Sequence, residues 1–240
     1  MNGQKITNGG KTMSLGKLIV FEGIDGSGKA TQAGLLADSL RDQGENVMEI
    51  SFPDYKSPAS MLVRMYLDGR FGSDPDSVNP YTASLFYAVD RFASFRIKWE
   101  SFYLSGGIVI ADRYTTSNMV HQMTKYDDPG ERSQFLSWLE DTEYDKMGLP
   151  RPDAVFLLDV PLSVSLQLVR ARNAGGRPSD IHEKDPKYMS RCYEAYDRLS
   201  RRYGWIRIAC TQPEGMLKSE KEIADDVLTH VCGLLKDRKG

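Results

Sequence analysis

Cysteine is scarce. Only Cys192, Cys210 and Cys232 occur in 240 residues, and no two have C-x-x-C spacing. That excludes a disulfide framework and a Cys-based zinc site, and fits free thiols in a reducing cytoplasm. Histidine is as rare, with three residues. No apolar run approaches the roughly 18–20 residues that a membrane-crossing helix needs. The first 16 residues are polar and glycine-rich, with no apolar stretch of the kind a signal peptide carries. They read as a disordered tail, in which Met13 is a candidate internal start. Charge of one sign is lacking too. Lys and Arg total 31 against 33 Asp and Glu, a net charge of −2. Bulk electrostatics therefore predict neither nucleic-acid nor membrane binding, and an anionic ligand must be met by local cations.

The composition that remains is ordinary for a globular protein, 40% apolar and 27% charged. The length suits one α/β domain with a full core, here placed at 17–238. Apolar runs at 18–22, 108–111 and 154–160, with weaker ones at 46–52 and 205–209, read as strands. Helical patterns at about 29–43, 57–68, 80–104, 115–126, 130–146, 162–173, 185–203 and 218–236 fill the gaps. The long pattern at 80–104 has Leu85, Val89, Phe92, Ile97 and Phe102 among its apolar positions. Strands that alternate with helices imply a five-stranded parallel sheet, α/β in class, with helices on both faces in three layers. Ligands of such sheets bind beyond the carboxyl ends of the strands.

Those ends carry the chemistry. Strand 18–22 runs into Gly23-Ile24-Asp25-Gly26-Ser27-Gly28-Lys29, and a helix follows. Strand, glycine-rich loop, lysine and helix form a phosphate-binding P-loop. Its backbone N–H groups and the helix N-terminus attract phosphate oxygens, and Lys29 adds a full charge. Gly23, Asp25, Gly26, Ser27, Gly28, Lys29, Ala30 and Thr31 are thus candidate ATP-binding residues, with Arg170 and Arg172 further along the chain expected to join them. Ala30 stands where a hydroxyl normally ligates Mg²⁺, so the metal falls to Asp112, directly or through water. Asp112-Arg113-Tyr114 follows the strand at 108–111, and Arg113 is a fork of donors suited to phosphate. A strand-end ion pair is the plainer reading of the same two residues. Tyr87 and Arg91, four apart on one helix face, could stack on a base and grip its phosphate. They could equally be a core aromatic beside a surface arginine. Arg170, Arg172 and Arg177 bracket Asn173-Ala174-Gly175-Gly176 and read as a mobile lid at about 170–184, or as a solvated basic loop.

In order along the chain, Phe21 to Lys29, Phe52-Pro53-Asp54-Tyr55, Asp90-Arg91, Asp112-Arg113-Tyr114 with Ser117-Asn118, and Leu158-Asp159-Val160 resemble the thymidylate kinase family. The resemblance spans roughly residues 16–235. It implies a P-loop kinase fold, a cytoplasmic homodimer, and phosphorylation of dTMP to dTDP by ATP and Mg²⁺ on the route to dTTP. By position it implies that Asp25 meets the sugar 3′-hydroxyl and that Phe52 and Tyr55 line the acceptor pocket. Tyr87 would stack on thymine, Arg91 and Asn118 would meet the base, and Arg113 would bind the acceptor phosphate, with Ser117 in the same pocket. His121 falls where relatives often carry a tyrosine near the sugar 2′ position, and Gln122 beside it would help line the pocket. Gly26-Ser27 in place of an arginine resembles the bacterial type, in which the lid supplies the catalytic arginine, here Arg177. Asp54 replaces a common arginine, so one phosphate contact is either missing or supplied by Lys56. Lys29, Asp25, Arg113 and Arg177 are therefore the expected catalytic set. The alternatives are a kinase for another or modified pyrimidine nucleoside monophosphate, and a nucleotide-binding protein without turnover.

Overall fold

The structure is a computed structural model, and it describes residues 5–8, 11–174, 181–182 and 185–236. The elements in order are β1 (Lys5–Asn8), β2 (Lys11–Ser14), β3 (Lys17–Glu22), α1 (Lys29–Asp42), β4 (Val47–Ser51), α2 (Met61–Leu67), α3 (Pro80–Ser94), α4 (Glu100–Leu104), β5 (Ile108–Asp112), α5 (Thr115–Met123), α6 (Pro129–Glu140), β6 (Ala154–Asp159), α7 (Leu162–Ala174), α8 (Pro186–Tyr203), β7 (Ile206–Ala209) and α9 (Glu220–Lys236).

Five strands form one parallel sheet in the order β4-β5-β3-β6-β7. Chain order runs outward from β3 to one edge, then returns to the other. That reversal makes the carboxyl end of β3 the switch point, where a ligand crevice opens. The P-loop leaves the sheet there. Side chains alternate across the sheet, and both faces are buried. Leu18 and Val20 of β3, Val109 and Ala111 of β5, and Val155 and Leu157 of β6 face a core shared with α5, α6 and α8. Ile19, Phe21, Ile108, Ile110, Phe156 and Leu158 face the opposite core, beneath α1 and α9. Central strands buried on both faces read as continuous apolar runs, which is why they stand out in the sequence.

Two long helical patterns hold a π-helical turn. Phe95–Trp99 joins α3 to α4, and Asp141–Lys146 extends α6. The first brings Phe95 and Trp99 into the core. The second turns Glu143 inward, where it is fully buried. Such insertions rotate the helix face without a sequence marker.

The polarity of α3 runs opposite to its apolar pattern. Asp90 and Arg91 are buried, whereas Leu85, Val89, Phe92 and Ile97 are exposed, Ile97 by 79%. The N-terminal segment carries a separate pairing. Lys5–Asn8 and Lys11–Ser14 pair as an antiparallel ribbon apart from the main sheet.

Candidate active site

The P-loop is built by glycines and tied to its surroundings. Gly26 and Gly28 adopt φ of 78° and 85°, the left-handed region that a side chain would strain. Gly28 caps the N-terminus of α1, so the first amides of the helix open toward the loop. From α7, Ser165 Oγ donates to the Asp25 carbonyl at 2.6 Å. Lys29 Nζ donates to the Gly23 and Ile24 carbonyls at 3.0 and 2.9 Å. Burial, aided by Arg113, pulls the Lys29 ammonium down to about 8.

Arg113 follows β5 with φ of 69°, the one non-glycine residue with positive φ among those described. Its N–H donates to the Phe21 carbonyl at 3.0 Å, which fixes it against β3. Its Nη2 donates to Asp25 Oδ1 at 2.5 Å. Its Nη1 donates to Ser117 Oγ and the Tyr196 hydroxyl at 3.2 and 3.3 Å. Both hydroxyls in turn donate to Glu22, at 2.7 and 3.0 Å to Oε2. Thr116 Oγ1 adds a third bond to that carboxylate at 2.6 Å. Glu22, at the end of β3 and fully buried, thus turns two hydroxyl oxygens toward one guanidinium. Burial tends to raise the Asp25 carboxyl, but Arg113 and Lys29 outweigh it and hold Asp25 far below the usual carboxylate range.

A second buried carboxylate holds the other arginine. Glu143 accepts from Arg91 Nε and Nη2 at 2.6 and 2.5 Å, from Thr115 Oγ1 at 2.8 Å and from Asn118 Nδ2 at 3.3 Å. Asn118 Nδ2 also donates to the Ser84 carbonyl at 3.2 Å.

All this borders one cleft of about 620 Å³. Asp25, Gly26, Gly28, Lys29, Ala30 and Thr31 line it from the P-loop, and Phe52 and Tyr55 from beyond β4. Asp112, Arg113, Tyr114, Ser117, Asn118 and His121 line it from β5 and α5, and Tyr87 and Arg91 from α3. Gly23 and Ser27 are buried under the loop and do not reach the cleft. Gln122 is fully buried and does not reach it either, which corrects the expectation that it lines the pocket. The one-residue step from His121 to Gln122 on α5 turns the side chain into the interior. Arg170 is exposed on α7 and outside the lining. The Arg172 side chain and the whole of Arg177 lie outside the described residues, as does most of the expected lid. Asp54 pairs with Lys98.

His121 and His182 stack with ring centroids 5.4 Å apart, and His182 stacks on Tyr188 at 4.8 Å. Burial first, then neighbouring cations, pushes the His121 imidazole well below its ordinary range and His182 to about 3. Both are neutral at pH 7. They therefore offer flat, uncharged rings beside the cleft's cations.

Asp112, which lines the cleft, carries a mark of a cation ligand. Its Oδ1 is buried and has no hydrogen-bond partner. No cluster of three His, Cys, Asp or Glu suited to a metal occurs among the described residues. A Mg²⁺ held chiefly by nucleotide phosphates and water, with one carboxylate, fits that arrangement.

The thymidylate kinase family model matches residues 21–221. The chain belongs to the thymidylate kinase family. The thymidylate kinase of Mycobacterium tuberculosis is 30% identical over 195 residues, which covers 78% of this chain and 87% of that one. That of Dinoroseobacter shibae is 30% identical over 221 residues, 90% and 96% of the two chains. A solved thymidylate kinase from Candida albicans shares the fold, with a TM-score of 0.65 at 21% identity over 94% of this chain and 93% of that one. No helix among the described residues is long and apolar enough to cross a membrane.

Glu143, Tyr188 and Tyr196 were not singled out by the sequence for this site, and His182 fell only within the expected lid at about 170–184. Tyr188 and Tyr196 sit on the apolar face of α8, where core packing is the default reading. Glu143 lies within Glu140-Asp141-Thr142-Glu143-Tyr144-Asp145-Lys146, a run that reads as a solvated helix face.

The Lys29 ammonium, lowered to about 8, supplies the first test. Its charge is present below that pH and lost above it. The profile of kcat/KM for ATP should fall as pH rises past about 8, since this parameter reports the free enzyme. Lys29→Arg should remove that alkaline limb, and an unshifted limb in the variant would assign it to another group.

Proposed function

We propose that this protein transfers the γ-phosphoryl group of ATP to dTMP, giving ADP and dTDP, a step toward dTTP. The observation that carries the reading is the single cleft in which P-loop, Arg113 and Tyr87 meet. The P-loop amides and Lys29 cradle the donor phosphates. Arg113, held between Asp25 and the two Glu22-bound hydroxyls, faces the acceptor phosphate. Asp25 is then released to the sugar 3′-hydroxyl. Tyr87 stacks on the base above Phe52, and Tyr55 closes the rim. Arg91 presents Nη1, the nitrogen that Glu143 leaves open, and Asn118 presents Oδ1, both to the base edge. His121 lies along the sugar.

The chemistry asks little beyond placement and charge. The acceptor phosphate is already ionised at pH 7, so no general base is needed, and in-line positioning with charge neutralisation supplies the rate. Asp112 would hold Mg²⁺, which when bound offsets charge on the donor phosphates. The three free thiols, two of them buried, suit the reducing cytoplasm in which we place the enzyme.

We also propose a homodimer through α3. Leu85, Val89 and Phe92 recur at helical spacing on its outer face, with Ile97 beyond them on the π-helical turn, and all four are exposed. An apolar stripe of this kind on a soluble protein marks a contact surface.

Release of ADP that depends on dTMP tests the reaction. Lys29→Ala should lower kcat by about 10²-fold or more, the scale of losing one preorganised electrostatic group. Activity with other pyrimidine monophosphates but not dTMP would contradict the assignment. Asp112→Asn should raise the Mg²⁺ concentration for half-maximal rate, and an unchanged titration would remove Asp112 from the metal. Sedimentation should show a dimer that Val89→Asp with Ile97→Asp converts to monomer; a wild-type monomer at assay concentration contradicts the interface.

A further inference from the structure

We propose that Glu143 is a positioning residue that sets which base the acceptor pocket takes. The proposal rests on the reading that Arg91 and Asn118 meet the base edge. It assigns the direction of their hydrogen bonds to a carboxylate that never touches the nucleotide.

An asparagine amide can sit either way round, and only its partners decide. Both partners of Asn118 here are acceptors, the Ser84 carbonyl and Glu143 Oε1. Nδ2 must therefore point to them, and Oδ1 is left for the cleft that Asn118 lines. Arg91 is fixed in the same way. Glu143 takes Nε and Nη2 in a two-point fork, and Nη1 remains. A guanidinium nitrogen can only donate. The pocket thus presents one acceptor and one donor, side by side.

Thymine carries the matching edge, with N3–H as donor and O4 as acceptor. Cytosine carries the opposite edge, with N3 as acceptor and its amino group as donor. A buried mismatch of donor against donor leaves both groups unpaired, which is the costly case. Base selection then depends on whatever keeps the amide from turning over. Glu143 does so from outside the cleft, fully buried, and Thr115 Oγ1 steadies it at 2.8 Å. Without a carboxylate there, Asn118 loses one of its two reasons to face that way.

Glu143→Gln tests this. Its carboxamide brings an NH₂ against groups that already donate; where that NH₂ replaces Oε1, Asn118 meets it by turning Oδ1 inward, at the cost of its bond to the Ser84 carbonyl. The flipped amide offers N–H to the cleft, which suits cytosine N3. The expected result is a KM for dTMP raised at least tenfold with KM for ATP within twofold. The ratio of kcat/KM for dTMP over dCMP should fall at least tenfold. A purely structural role would not move that ratio. A folded variant whose ratio stays within twofold of wild type overturns the proposal. If the variant does not fold, Thr115→Val decides. It removes one bond to Glu143 and strands no charge. The same ratio should fall at least threefold, and an unchanged ratio overturns the proposal. Asn118→Ala separates the two readings. If it lowers the ratio while Glu143→Gln does not, only the role of Glu143 falls. If it leaves both KM for dTMP and the ratio unchanged, the base-edge reading falls and the proposal with it.

Discussion

A cation carried into a buried cleft must be matched by a carboxylate, and that constraint organises this molecule. Arg91 is exposed by 2% and Glu143 not at all. Breaking such a pair leaves one charge stranded, at a cost of about 3–5 kcal/mol. Glu22 does the same work one step removed. It binds no arginine directly, yet its bonds to Ser117 and Tyr196 set the oxygens that receive Arg113. Both carboxylates keep their side chains out of the cleft. The cations they steady are the ones that line it. Arginine is the suitable residue at each place, because its planar fork can spend two nitrogens on the protein and keep another for a ligand.

The two histidines beside the cleft add no positive charge to it. His121 and His182 are held neutral by burial and by Arg113, with Lys125 acting on His182 and His182 on His121. Tyr66 links His182 at 3.2 Å to Lys125 at 3.2 Å, so the second histidine is anchored to the α2 side of the cleft. Ile181 beside it packs with Val63, Tyr66 and Leu67, and its N–H donates to the Leu67 carbonyl at 3.3 Å. Among the described residues that line the cleft, positive charge is confined to Lys29, Arg91 and Arg113, where phosphates and a base edge call for it. Asp25, kept ionised by two of these three, gives the cleft its one strongly acidic contact with them.

The sequence made the sheet legible because its central strands are buried on both faces. Ile108 to Ala111 and Val155 to Leu158 needed no alternation to be recognised. The P-loop and Asp112-Arg113 were legible because phosphate chemistry demands few residue types at fixed spacing. What stayed hidden depended on geometry that no local pattern records. The π-helical turn at Asp141–Lys146 converts a charged run into the socket for Arg91. The buried Asp90 and Arg91 reverse the sense of α3, so its apolar positions point outward. Asp54 gave no hint that its partner would be Lys98, 44 residues away. The ribbon at Lys5–Ser14 arises from a polar segment with no apolar face to announce it.

The central claim is that one cleft holds donor and acceptor together, with Arg113 on the acceptor phosphate. A crystal structure with dTMP and a non-hydrolysable ATP analogue tests it directly. The account places the analogue's phosphates on the P-loop and Lys29. It places the dTMP phosphate on Arg113 and thymine between Tyr87 and the Arg91–Asn118 edge. A dTMP phosphate seated on the P-loop, or a base away from Tyr87 and Arg91, would contradict it.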